Sequence, residues 1–350
     1  MALNNYRLLG KSGLRVSPIS LGTMTFGSDW GWGADDSVSR QQFEYYAEQG
    51  GNFIDTANFY TEGTSEKLLG EFLKGRRDQF VLATKYTLNM RPGDPNAGGN
   101  HRKSLMQSLE ASLERLQTDH IDLYWVHMDD GLTPIEETMR ALDDVVRQGK
   151  VLYVGISDMP AWKVSQANTL AMLRGWSPFV GLQIEYSLAE RTPERDLMPM
   201  AREFGIGVTP WSPLAQGILS GKYTEADLSS EGGTQGEGRH ENNKQNGRLN
   251  AKTLAISNTA KEIGQELGVS ASQVSIQWLL QQQGVTAPII GARTLDQLKD
   301  TLAAVDVQLA PEHLARLDEV SKIELGFPHD FLSSDMVRGF MTGNTNTTKR

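Results

Sequence analysis

The sequence predicts an α/β protein, a (β/α)8 TIM barrel preceded by a β-hairpin and followed by extra C-terminal helices and loops. Three observations carry this. Eight short strand-like runs recur along the 350 residues, and they are apolar on both faces, as buried parallel strands are. Helical spacing of apolar residues follows these runs. Length alone admits two domains of about 150 residues, but about 250 residues plus insertions is the usual size of one closed α/β barrel. A doubly wound open sheet is the alternative that the pattern leaves open.

The elements follow in order. Residues 6–9 and 15–16 form a hairpin around a glycine-bearing turn at 10–13. The first four strands are ISLGT (19–23), NFIDT (52–56), QFVLATK (79–85) and HIDLYWVH (120–127). The next four are VLYVGIS (151–157), FVGLQIEY (179–186), GIGVTPW (205–211) and GVTAPIIG (284–291). Between them lie amphipathic stretches such as SVSRQQFEYYAEQG, RKSLMQSLEASLERLQ and PIEETMRALDDVVRQGK. Residues 224–250 break the rhythm: they are polar, glycine-rich and nearly free of aliphatic side chains. Such a stretch suits a linker, but it falls in the seventh strand-to-helix connection, where a barrel keeps functional loops. The expectation is one domain over 1–340, with a mobile lid at 224–250 and a polar tail at 341–350.

Composition narrows the function. A formal charge of −9 argues against general affinity for nucleic acid or an anionic membrane. The absence of cysteine excludes disulfides, thiolate catalysis and cysteine-ligated zinc. The six histidines are scattered, no H-E-x-x-H occurs, and no metal is expected. The first residues, MALNNYRLLGKSGLRVS, lack the apolar core of a signal peptide, and no apolar run approaches the ~20 residues of a membrane span. The cytoplasm is the expected location, and the chain is expected as a monomer or homo-oligomer. G-x-S-x-G is missing, and GWGADD has only two of the three glycines of a dinucleotide fingerprint, with no suitable strand before it.

Barrel chemistry gathers where strands end. Asp55 closes the second strand, Lys85 the third and His127 the fourth, and Tyr60 stands five residues beyond Asp55. Singly, such a lysine snorkels to water and such a histidine fills a core. Together they form a working set. A phenol with a pKa of ~10 donates poorly at neutral pH; an adjacent ammonium stabilises its anion, and a carboxylate holds the ammonium. A neutral imidazole orients a carbonyl oxygen. The set delivers a proton to a ketone or aldehyde and requires an external hydride donor.

From YRLLGKSGLRVSPISLGTMTFG through FIDTANFYTEGTSEKLLG to PIIGARTLDQLKDTL, the chain resembles the aldo-keto reductase superfamily. The resemblance is to its longer members, related to potassium-channel β subunits and to bacterial sugar and xenobiotic ketone reductases. It implies a catalytic tetrad of Asp55, Tyr60, Lys85 and His127, with Tyr60 as general acid and Asp130 completing an H-x-x-D pattern. It further implies NADPH/NADP+ as cofactor, with Ser157, Asp158 and Gln183 at the carboxamide and Trp211 stacked on the nicotinamide. Ser212, Pro213, Leu214, Leu219, Ser220, Gly221 and Lys222 resemble the pyrophosphate loop. Gly291, Arg293, Gln297 and Asp300 resemble the adenosine-phosphate site, where an arginine selects NADPH over NADH. Two positions depart. Asp158 replaces the usual Asn; when ionised it accepts but cannot donate, and its charge favours the oxidised cofactor. Thr301 stands where channel-related members have Asn.

The substrate pocket is expected to include Trp30, Trp32, Tyr86, Met128 and Phe327, with Met159, His329 and Phe331 nearby. An aromatic wall suits a flat or bulky carbonyl compound. The expected reaction is NADPH-dependent reduction of an aldehyde or ketone to an alcohol. The reverse oxidation of a secondary alcohol is an alternative. A non-catalytic NADPH-sensing subunit is the reading of a different class, and turnover of carbonyl compounds discriminates it.

Overall fold

Successive residues of each strand face alternate surroundings, the barrel interior and the layer under the helices. In a computed structural model that describes residues 3–229, 240–343 and 345, a two-residue hairpin, β1 (Arg7–Leu8) and β2 (Arg15–Val16), precedes the barrel. The barrel strands are β3 (Ser20–Gly22), β4 (Phe53–Asp55), β5 (Val81–Tyr86) and β6 (Ile121–Val126), then β7 (Val151–Ser157), β8 (Phe179–Glu185), β9 (Gly207–Trp211) and β10 (Ile289–Ile290). They form one parallel sheet in the order β10-β3-β4-β5-β6-β7-β8-β9. A parallel bridge from Val208 to Val285 joins its two ends. There the Val208 N–H donates to Gly284 O (3.0 Å) and the Thr286 N–H to Val208 O (2.7 Å). The expected barrel and hairpin are both present.

The interior belongs to one phase of each strand. Phe53, Val81, Ala83, Leu123, Trp125 and Ala287 pack together inside, joined from below by Leu9 and Val16 around the hairpin. The opposite phase, with Leu82, Tyr86, Tyr124 and Val126, joins the larger core between sheet and helices. The hairpin seals the lower end closely: the Lys11 N–H donates to Gly205 O (2.8 Å), and a Cβ on Gly10 (φ 57°) would lie 2.6 Å from the same oxygen. Above it, the Trp125 ring fills the barrel because Gly155 and Gly181 face it; a Cβ on Gly181 would stand 2.7 Å from that ring, and one on Gly155 would collide with it. With the bottom plugged, access is from the upper end, where the strands terminate.

Helices cover the sheet at the expected segments, among them Asp36–Glu48, Arg102–Leu116, Ile135–Arg147, Ala161–Arg174 and Ala251–Leu267. Asp35, Asn250 and Ser270 accept N-terminal backbone donors of the helices they precede, and Gly175, Gly205 and Gly268 end helices in left-handed backbone. The stretch expected as a lid, 224–250, holds two short helices, Glu225–Ser229 and His240–Gln245, and its middle, 230–239, lies outside the described residues. A helix Asp335–Thr342 enters the expected tail, of which 344 and 346–350 lie outside the described residues. No described helix is long and apolar enough to cross a membrane.

Candidate active site

Strand phase carries Asp55, Lys85 and His127 into the barrel mouth, since each is two residues beyond an interior side chain: Phe53, Ala83 and Trp125. Lys85 is fully buried, and its ammonium spends all three donors. It pairs with Asp55 Oδ1 and donates to the Thr56 carbonyl (2.9 Å) and the Tyr60 hydroxyl (3.0 Å). Gln183, from the far side of the barrel, donates Nε2 to Asp55 Oδ2 (2.9 Å). The His127 ring meets Tyr60 edge-on, with centroids 6.0 Å apart and planes at 81°. The four residues expected as a tetrad are thus brought together. Because the Tyr60 oxygen accepts from Lys85, its own proton remains available to a further acceptor.

A turn of unusual backbone aims Tyr60. Thr61 (φ 47°), Glu62 (φ 55°) and Gly63 (φ 91°) are successively left-handed, a conformation costing non-glycine residues of order 1–3 kcal/mol. Side chains hold it: Thr61 Oγ1 donates to Phe26 O (2.7 Å) and accepts from the Ser65 N–H (3.1 Å). Just beyond, the buried Glu66 accepts from Thr84 Oγ1 (2.5 Å) and Arg115 Nε (2.7 Å).

Burial sets the protonation states. It pushes the Tyr60 phenol up, and Lys85 only partly offsets this, so the expected lowering by the ammonium does not prevail and Tyr60 holds its proton at neutral pH. Burial also pushes the Lys85 ammonium down, but Asp55 and the Tyr60 oxygen overcome it and the group is raised. His127 falls to about 3 through burial and the nearby Lys85 charge. It is a neutral imidazole, and its buried Nδ1 has no hydrogen-bond partner among the described residues. Asp130 serves the loops behind: it accepts the N–H groups of Asn100, Leu132 and Thr133 at 2.7–2.9 Å. Burial opposes its ionisation, but these bonds prevail and bring it to about 2.

The other half of the mouth is more open. Trp211 ends β9 half-buried and donates Nε1 to Asp158 Oδ1 (3.1 Å). Ser157 and Gln183 are buried beside it on paired strands. The turn after Trp211 winds through left-handed Ser212, Ala215, Gln216 and Gly217. The N–H groups of 215–217 are spent inside it, on Ser212 O, Ser212 Oγ and Leu214 O. Lys222 is exposed there, with its ammonium 4.9 Å from the Tyr223 ring centroid. Pro213 and Leu219 are buried supports, and Leu214, Ser220 and Gly221 are half-buried. Gly291 and Arg293 are exposed where β10 leads into the helix Leu295–Leu302. Gln297 Oε1 accepts the Arg293 N–H (3.0 Å). Asp300 is engaged elsewhere, accepting from Ser270 Oγ (3.0 Å) and Gln273 Nε2 (2.8 Å), and Thr301 folds back onto Gln297 O. A half-exposed indole, the buried Ser157 and Gln183 side chains and exposed Lys222 and Arg293 form a donor set that suits a nicotinamide dinucleotide.

Tyr86 and Met159 lie away from the pocket where they were expected. Tyr86 follows Lys85 and therefore has the opposite phase: it is fully buried in the outer core, stacked on Tyr124 with centroids 5.2 Å apart, and its hydroxyl donates to Asn100 O (3.3 Å). Met159 is likewise buried in that core. Phe327 is 79% exposed; its aromatic contact among the described residues is Phe331, 6.1 Å away, and His329 lies 3.4 Å from Asp196. Met128 is half-buried next to His127. Trp30 and Trp32 do meet, 5.5 Å apart, and Trp30 also packs 5.9 Å from Phe59. Phe59, one residue before Tyr60, was readable from that adjacency and was missed. Glu185 was missed too, although it shares the strand phase of Gln183. It binds Arg248 bidentately, with Nη2 3.0 Å from Oε2, and nothing local in the sequence announces that pair.

A parallel barrel whose mouth joins a buried Asp–Lys–Tyr–His group to a dinucleotide-suited rim defines a class, the carbonyl-reducing oxidoreductases. Residues 18–322 match the Aldo/keto reductase family, and the chain belongs to it. Norsolorinic acid reductase of Aspergillus flavus is 37% identical over 98% of this chain and 88% of its own length. The corresponding reductase of Emericella nidulans is 39% identical over 94% and 85%. Aryl-alcohol dehydrogenase [NADP(+)] of Phanerodontia chrysosporium is 38% identical over 91% and 86%.

Proposed function

We propose that this enzyme reduces aryl aldehydes or ketones to alcohols with NADPH, and that Tyr60 delivers the proton. The observation that carries the reading is the Tyr60 hydroxyl held 3.0 Å from an ammonium that is itself fixed by Asp55. As the carbonyl oxygen gains charge, Tyr60 gives up its proton and Lys85, already in contact, stabilises the phenolate. Asp55 and Gln183 keep Lys85 in place, and neutral His127 stands across the Tyr60 ring to orient the substrate oxygen. The hydride comes from the dinucleotide, for which Trp211, Ser157, Gln183, Lys222 and Arg293 are the proposed holders. Trp30, Trp32 and Phe59 form the proposed aromatic wall, in keeping with relatives named for aryl alcohols and norsolorinic acid. The same residues run in reverse by microscopic reversibility, and the dehydrogenase name of one relative favours testing that direction as well.

The test is to follow loss of reduced-cofactor absorbance with NADPH and a panel of aryl and short aliphatic carbonyl compounds. The account expects aryl substrates to lead in kcat/KM, with the lead shrinking in Phe59→Ala. No turnover of any carbonyl compound, in either direction, would remove the reading.

A further inference from the structure

Several of the charges facing the barrel mouth cancel in pairs. Lys85 is matched by Asp55, Glu185 by Arg248 and Asp129 by Lys163 (2.6 Å). His127 is neutral and Tyr60 keeps its proton. Asp158 remains, and no salt bridge is formed to it among the described residues. Its carboxylate is fixed in place. The residue is left-handed (φ 45°), its N–H donates to Gln183 O (3.3 Å), its carbonyl accepts from the Asp129 N–H (3.3 Å), and Oδ1 accepts from the Trp211 indole. Glu185 stands in register with Trp211 on the neighbouring strand, so Arg248 removes what would be a second negative charge beside that ring.

We propose that Asp158 reads the oxidation state of the nicotinamide, binding the cationic oxidised ring in preference to the neutral reduced one, and that the Glu185–Arg248 pair sets the strength of this discrimination. The inference rests on the assignment of Trp211 to the nicotinamide side made above. The two forms of the cofactor ring differ by one positive charge, so a lone carboxylate at the ring's side of the site acts on one and not the other. It also gives the discrimination a pH dependence. Burial pushes the Asp158 carboxyl up, with Glu185 adding to the shift and the Trp211 N–H and Lys85 opposing it. Asp158 therefore takes up its proton closer to neutrality than an ordinary aspartate does, and the preference fades on acidification.

The experiment measures dissociation constants of NADP+ and NADPH separately, by calorimetry and by reduced-cofactor fluorescence, at pH 7.5 and 5.5. For Asp158→Asn, the ratio Kd(NADPH)/Kd(NADP+) should fall about ten-fold, the size of one charge acting across a few ångströms of half-solvated site. Asp158→Glu, which keeps the charge, should hold most of the ratio. Glu185→Gln, which leaves Arg248 unopposed, should lower it by a smaller factor. An unchanged ratio in Asp158→Asn with both cofactors still bound would overturn this inference alone. Failure of the native enzyme to bind either cofactor would overturn the proposed function with it.

Discussion

The rim above β4–β6 and the rim above β7–β10 are both polar, yet they are built on different terms. In the first, buried groups satisfy one another: Lys85 spends its donors on Asp55, Thr56 and Tyr60, and Glu66 takes Thr84 and Arg115. In the second, two cationic side chains expected to meet a ligand, Lys222 and Arg293, are exposed. Under the proposed function, the closed half would hold the proton donor in one geometry and is pre-organised for it. The open half would admit and release a large anionic cofactor. Mutations in the two halves should therefore fail differently, the first through chemistry and stability together, the second through binding.

The largest effect should follow from Lys85→Met. It strands Asp55 as an unpaired buried carboxylate, so we expect a loss of about 3–5 kcal/mol in denaturant unfolding, together with a fall in kcat of about 10³-fold. Adding Asp55→Leu should restore part of the stability and none of the activity. Below the mouth, Gly155→Val should cost at least about 2 kcal/mol, because its side chain must share space with the Trp125 ring; thermal unfolding reads it directly.

The open half predicts smaller, binding-centred effects. Arg293→Ala should raise KM for NADPH about ten-fold or more while leaving KM for NADH and the melting temperature nearly unchanged. Equal effects on both cofactors would remove the 2′-phosphate assignment. The subtlest difference is in the pH profile. His127 is neutral down to about pH 3, so kcat should show no limb near the ordinary histidine value of about 6.5, whereas cofactor discrimination through Asp158 should change on the acid side of neutrality.

The two halves also differed in how far the sequence revealed them. Asp55, Lys85 and His127 were legible because a strand end and a period of two fix both the height and the direction of a side chain. Tyr60 was legible because its spacing from Asp55 is local. Tyr86 misled because nearness to the rim was read without phase: one residue past Lys85 is the opposite face. Glu185 with Arg248 was out of reach, since 63 residues and an insertion separate them. The engagement of both Asp300 oxygens by Ser270 and Gln273 of a neighbouring helix start was likewise out of reach of local pattern. Local patterns report backbone phase well; contacts closed by tertiary packing leave no local trace.

The most direct test of the central claim is Tyr60→Phe, which removes one oxygen from the closed half and nothing from the open one. With an aryl aldehyde accepted by the native enzyme, NADPH affinity measured by fluorescence should stay within about three-fold and kcat should fall about 10³-fold. Turnover that survives the substitution with affinity intact would show that the proton comes from elsewhere and would contradict the account.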